Sequence, residues 1–179
     1  MNSDLLEHEK QHLASLLEAV QRCVYFLDAA GSSVTWPLAA QALEQRKKDK
    51  GLFGALAAIN ERFAKLQDTL GAAMRHAMGL LSEPSETFLQ VLAFFEKVGV
   101  IASIADWQTC RTARNLAAHS YETDYESIAE HFNTLHEMQP VLYVSAREFV
   151  SYCRTTVGIT PASGDFADDF ITIVDGVSR

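Results

Sequence analysis

The sequence predicts an all-α protein, an up-and-down bundle of four to five antiparallel helices. Two observations predict it. Apolar residues recur at three-, four- and seven-residue spacing along most of the chain. Proline and glycine, at 4 and 9 of 179 residues, are too sparse for a turn-rich β fold. A hydrophobic share of 48% with 21% charged residues is ordinary globular composition. The length suits one domain with a short appendage: a helical bundle over 1–158 and a tail over 159–179.

The first stripe is Leu6, Leu13, Leu17, Val20, Val24 and Leu27, with Ser3 as its expected cap and Gly31-Ser32-Ser33 as its end. A connection over 32–51 follows, with room for a short helix begun by Thr35-Trp36-Pro37. It carries Arg46-Lys47-Lys48-Asp49-Lys50, the densest basic cluster in the chain. Such runs are usually solvated surface, and RNA contact is the functional reading. A second long helix is predicted over 52–81, on Phe53, Leu56, Phe63, Leu66, Leu70, Met74 and Ala77. Ser82-Glu83-Pro84-Ser85 breaks it and offers a start for the third helix, which carries Phe88, Leu92, Phe95 and Val98. Gly99 then stands where a left-handed cap belongs.

The fourth helix begins at Ser103-Ile104-Ala105-Asp106, a capping-box pattern, and is expected to reach about Glu122. Thr123-Asp124-Tyr125-Glu126 opens the fifth, on Tyr125, Ile128, Ala129, Phe132 and Leu135, and Pro140 is expected to kink or break it. Beyond Ile159 the tail offers Phe166, Phe170, Ile171, Ile173 and Val174 for docking on the body or on a partner; the sequence leaves both open.

Several classes fall away. The first residues lack the basic and apolar regions of a signal peptide, and no apolar run approaches the ~20 residues of a membrane span. A cytoplasmic protein with no membrane association is expected. Cys23, Cys110 and Cys153 are odd in number and far apart, which reads as buried free thiols. No P-loop, G-x-G-x-x-G, G-x-S-x-G or H-E-x-x-H pattern occurs, so no metal site and no bound cofactor are predicted. A net charge of −8 makes non-specific nucleic-acid binding poor, so RNA would need a local basic patch or a second subunit.

The residues that carry chemistry lie on the fourth helix. Arg111, Asn115 and His119 are spaced i, i+4, i+8 and share one face, with Arg114 beside them. Ala113, Leu116, Ala117 and Ser120 fall opposite and suit close packing. Arginine offers a permanently charged fork that matches phosphate oxygens. Histidine exchanges protons near neutral pH. One of each is the minimum kit for cleaving RNA without a metal: His moves protons during attack of the 2′-hydroxyl, and Arg stabilises charge at phosphorus. The bland alternative is a polar helix face at a surface or interface.

Arg114-Asn115-Leu116-Ala117-Ala118-His119-Ser120-Tyr121 resembles the R-N-x-x-x-H-x-Y signature of HEPN-domain proteins, most closely the HepT-like toxins and the nucleotidyltransferase substrate-binding subunits. Phe94 to Ile101 followed by Asp106-Trp107 also resembles the helix leading into that motif, so the match covers roughly 85–135. The resemblance implies a homodimer with Arg114 and His119 of both copies facing one cleft. It implies metal-independent endoribonuclease activity, with these two residues catalytic. Asn115 would orient the site; Arg111, on the same helix face, is by its own chemistry a site-orienting or phosphate-binding candidate. It also implies a minimal nucleotidyltransferase as antitoxin partner, which in some family members adds AMP to the tyrosine matching Tyr121. Two other readings use the same face: a non-catalytic subunit that holds a nucleotide or substrate for that partner, and a dimeric scaffold.

Overall fold

The computed structural model describes residues 2–120 and 124–177, with side chains over 4–115 and 124–177. The fold is all-α, with no strand among these residues, but the expected count of four to five helices is overturned. Seven α-helices and a π-helical turn are present: α1 (Asn2–Ser32), α2 (Ala40–Gln45), α3 (Lys50–Leu80), α4 (Phe88–Lys97), α5 (Ile104–Ser120), α6 (Tyr125–Tyr152), the turn Cys153–Val157, and α7 (Ala167–Asp175). The two additional helices come from the stretches without a long apolar stripe, the 32–51 connection and the tail. Both are too short to stand alone and are held by tertiary contacts.

Helices α1 and α3 form the spine, and α5 and α6 pack beside it. Their apolar stripes meet in one core containing Leu13, Leu17, Leu27, Phe63, Leu70, Met74, Phe95 and Phe149. Two helix ends use the same device. At the end of α4, Gly99 has φ +78° and the Val100 N–H donates to Phe95 O at 2.8 Å. At the end of α3, Ser82 takes φ 59° and the Glu83 N–H donates to Met78 O at 2.9 Å. Both are left-handed caps that satisfy an orphan carbonyl.

Several starts differ from expectation. α1 begins at Asn2, so Ser3 lies within the helix rather than capping it. α4 starts after Thr87, not at Ser85, because Thr87 and Gln90 cap one another reciprocally. α3 starts earlier than Leu52. Asp49 caps it by accepting from Leu52 N, and the same carboxylate binds Arg46 at 2.7 Å. One charge of the basic cluster is therefore spent on a helix start. The short helix begins at Ala40 rather than at Trp36-Pro37, whose peptide bond is cis. The segment before it is pinned to α6. Asn133 accepts from Leu38 N and donates to Leu38 O, and Trp36 stacks on His136 at 4.2 Å.

α6 is not split at Pro140 but runs from Tyr125 to Tyr152 as one helix. Proline lacks the N–H that would bond to the carbonyl of His136. Both residues are exposed, so water can take that bond. The tail docks on the body. Phe170 and Val174 of α7 are buried against α1 and α6, Ala162 N donates to Ala14 O, and Arg147 donates to Val174 O. No helix among the described residues is long and apolar enough to cross a membrane.

Candidate functional site

α5 reaches the site through its first turn. Ser103 caps it, accepting from Asp106 N at 3.0 Å and donating to the Asp106 carboxylate at 2.8 Å. Glu96 of α4 accepts from Ile104 N, which ties the helix start to its neighbour. Trp107, Cys110 and Ala113 then face the core, and Arg111 and Asn115 face outward. The Gln67 side chain of α3 donates to Trp107 O at 2.9 Å. The two helices run antiparallel there, with position 107 beside 67 and 71, and 114 beside 64 and 68.

Arg114 stands at the boundary between these two faces. Its guanidinium donates to the Asp68 carboxylate at 2.7 Å and to Ala64 O at 3.0 Å, and its side chain is only 18% exposed against 63% for Asp68. Two partners on one rigid helix fix its direction. Asp68 was not legible as a site residue, because it lies 46 positions away and belongs to no motif. A helix-face signal existed: Ala64, Asp68, Gly71 and Arg75 lie on one side of α3.

Arg111 and Arg114 do converge. With Arg75, Asp68, Gln67, Phe88 and Trp107 they line a cavity of about 290 Å³ between α3, α4 and α5. The Arg75 guanidinium lies over the Phe88 ring at 5.6 Å. Asn115 is exposed and does not line this cavity, and neither does any residue of the 46–50 cluster. His119 belongs to the last turn of α5, but its side chain lies outside the described residues, as does all of Tyr121.

The neighbouring titratable groups narrow the chemistry. Burial, with the Asp106 charge behind it, pushes the Cys110 thiol up to about 12. Burial alone does the same for Cys153, and Cys23 is raised as well. All three are free and buried, and none is a ready nucleophile. Among the described residues no group of three or more His, Cys, Asp or Glu converges as a metal site.

His131 of α6 sets its Nε2 3.2 Å from Asn60 Oδ1, one turn before Ala64 on α3. Burial holds its pKa below the ordinary value. The unfolded chain therefore takes up this proton first as pH falls. The stability carried by neutral His131 is complete above about 6.5 and is lost on descent towards the lowered folded value. His131→Gln is expected to flatten the fall in Tm between about pH 7 and 5 relative to wild type. Parallel Tm-against-pH curves for the two proteins would refute this.

No protein-family model, curated protein or solved structure matches the chain.

Proposed function

We propose that this chain is a metal-independent endoribonuclease, the toxin half of a toxin–antitoxin pair, cutting RNA with Arg114 and His119 in a cleft shared by two copies. The observation that carries the reading is the clamped Arg114. Asp68 and Ala64 O hold its guanidinium beside the exposed Arg111 at an arginine-lined cavity, five residues before His119 on the same helix. Preorganised charge aimed at a phosphodiester is what phosphoryl transfer needs. In the reaction the 2′-oxygen attacks phosphorus and the bond to the 5′-oxygen breaks. The 2′-hydroxyl gives up a proton, the leaving oxygen gains one, and a cyclic phosphate forms. His119 handles protons. Histidine exchanges protons near neutral pH, which suits protonation of the leaving group.

The test compares wild type with His119→Ala, each expressed without a partner, for growth arrest and for cleavage of total RNA in EDTA. Wild type should cleave, and the variant should lose about 10²–10⁴-fold in rate. Equal, harmless behaviour of both would overturn the ribonuclease reading.

A second reading has its own observation. The charge of Arg114 is already engaged by Asp68, and about 290 Å³ suits one nucleotide better than a strand. On that reading the chain is a non-catalytic nucleotide-binding subunit of a minimal nucleotidyltransferase. Nucleotide titration without turnover would establish it. Both readings take the nucleotidyltransferase as partner, and the toxin reading takes Tyr121 as the AMP acceptor. Both also fit a cytoplasmic setting, in which buried free thiols stay reduced.

A further inference from the structure

We propose that the cavity beside Arg114 is a base-reading subsite: it seats one nucleotide and prefers bases that carry an exocyclic amino group. This rests on the phosphate-binding reading of Arg111 and Arg114 and adds which nucleotide sits next to them.

Charge is the first argument. A chain with net charge −8 gathers three guanidinium groups, Arg75, Arg111 and Arg114, around about 290 Å³, against the single carboxylate of Asp68. The Asp68 carboxylate, 2.7 Å from Arg114, offsets one of the three positive charges, so the cavity keeps a net positive charge for a phosphate.

Shape is the second. The half-buried Phe88 ring lines the cavity and is exposed enough to offer a surface to a flat ligand. It lies so close to α3 that a Cβ at position 71 would come within 3.0 Å of it, so glycine there is what makes room for the ring. Arg75 over the same ring can stack on a base or close over it.

The third is an unmet hydrogen bond. Gln67 is 3% exposed and lines the cavity. Its amide nitrogen is committed to Trp107 O, which fixes the orientation of the group. Its Oε1 has no partner. A buried acceptor without a donor costs free energy until something supplies one. The exocyclic amino groups of adenine, cytosine and guanine are such donors; uracil offers only its ring N3–H, which lies between two carbonyl oxygens and would bring one of these acceptors against the same buried oxygen. Oε1 is buried, so a small shift of the lining side chains is needed to admit the donor.

The experiment is calorimetric titration of the full chain with AMP, CMP, UMP and inorganic phosphate, alongside RNA cleavage by the same preparations. AMP and CMP should bind about tenfold more tightly than UMP, and UMP more tightly than phosphate. Gln67→Met should erase the AMP-over-UMP preference while keeping affinity for UMP. Phe88→Leu should weaken all three nucleotides by about tenfold and leave phosphate unchanged. Circular dichroism melts identify a variant that merely fails to fold, and the wild-type ranking stands without any variant. Equal affinity for AMP and UMP, or for nucleotides and phosphate, would overturn the subsite. RNA cleavage with no base preference would remove the subsite and leave the ribonuclease. Base preference with no cleavage would keep the subsite and favour the nucleotide-binding subunit.

Discussion

Arg114→Lys should lower RNA cleavage by about 10²–10³-fold while leaving the fold intact. The two side chains carry the same charge, but only guanidinium holds a planar fork. In this structure one arm already spans Asp68 Oδ1 at 2.7 Å and Ala64 O at 3.0 Å. An ammonium can satisfy that pair only by turning its whole charge towards α3, away from the proposed phosphate position. Asp68→Asn should act through Arg114. The clamp loosens, kcat falls more than KM changes, and Arg114→Lys,Asp68→Asn loses less than the product of the two single losses. The measurement is kcat and KM on a short fluorogenic RNA for the four proteins. Full activity in Arg114→Lys would show that only a point charge is required, and the clamp would then be structural.

The second large effect concerns stability. Phe95→Ala should cost about 3–5 kcal/mol and lower Tm on the order of 10 °C. Phe95 is fully buried, makes edge contacts with Phe94, Phe149 and Tyr152, and its carbonyl receives the cap of α4 from Val100. The ring thus joins the helix that leads into the site to the long helix α6. Because α4 carries Phe88 and Glu96, which ties down the start of α5, the cavity mouth should loosen before the protein unfolds. Thermal melts with nucleotide titration check this. A change below about 1 kcal/mol would mean that the site collapses around the missing ring.

The long helices were legible because each carries a stripe at helical spacing, which local chemistry enforces wherever one face meets a core. Leu13, Leu17, Val20 and Leu27 show it on α1, and Phe63, Leu66, Leu70 and Met74 show it on α3. Gly99 and Ser103 were legible as a cap and a start because both devices are complete within a few residues. The short elements were not. α2 and α7 are too short to form by propensity and exist because Leu43, Phe170 and Val174 find a surface to cover. The passage of α6 through Pro140 likewise depends on what surrounds the helix, since the lost bond is cheap only where water reaches the carbonyl.

The candidate site divides the same way. Helical spacing alone set Arg111 and Arg114 on adjacent positions of one helix, and residue chemistry pointed both at phosphate. What the spacing could not supply was the opposite wall. Asp68, Gln67, Gly71 and Arg75 come from α3 and Phe88 from α4, and none stands within a dozen residues of Arg114. Their side chains meet it only because α3 and α5 pack antiparallel, a choice made by the whole core. Periodicity is a property of a segment, so sequence determined the long helices and the chemistry of the α5 face. Convergence is a property of packing, so only the tertiary structure decided that Arg114 is clamped and that a cavity lies beside it.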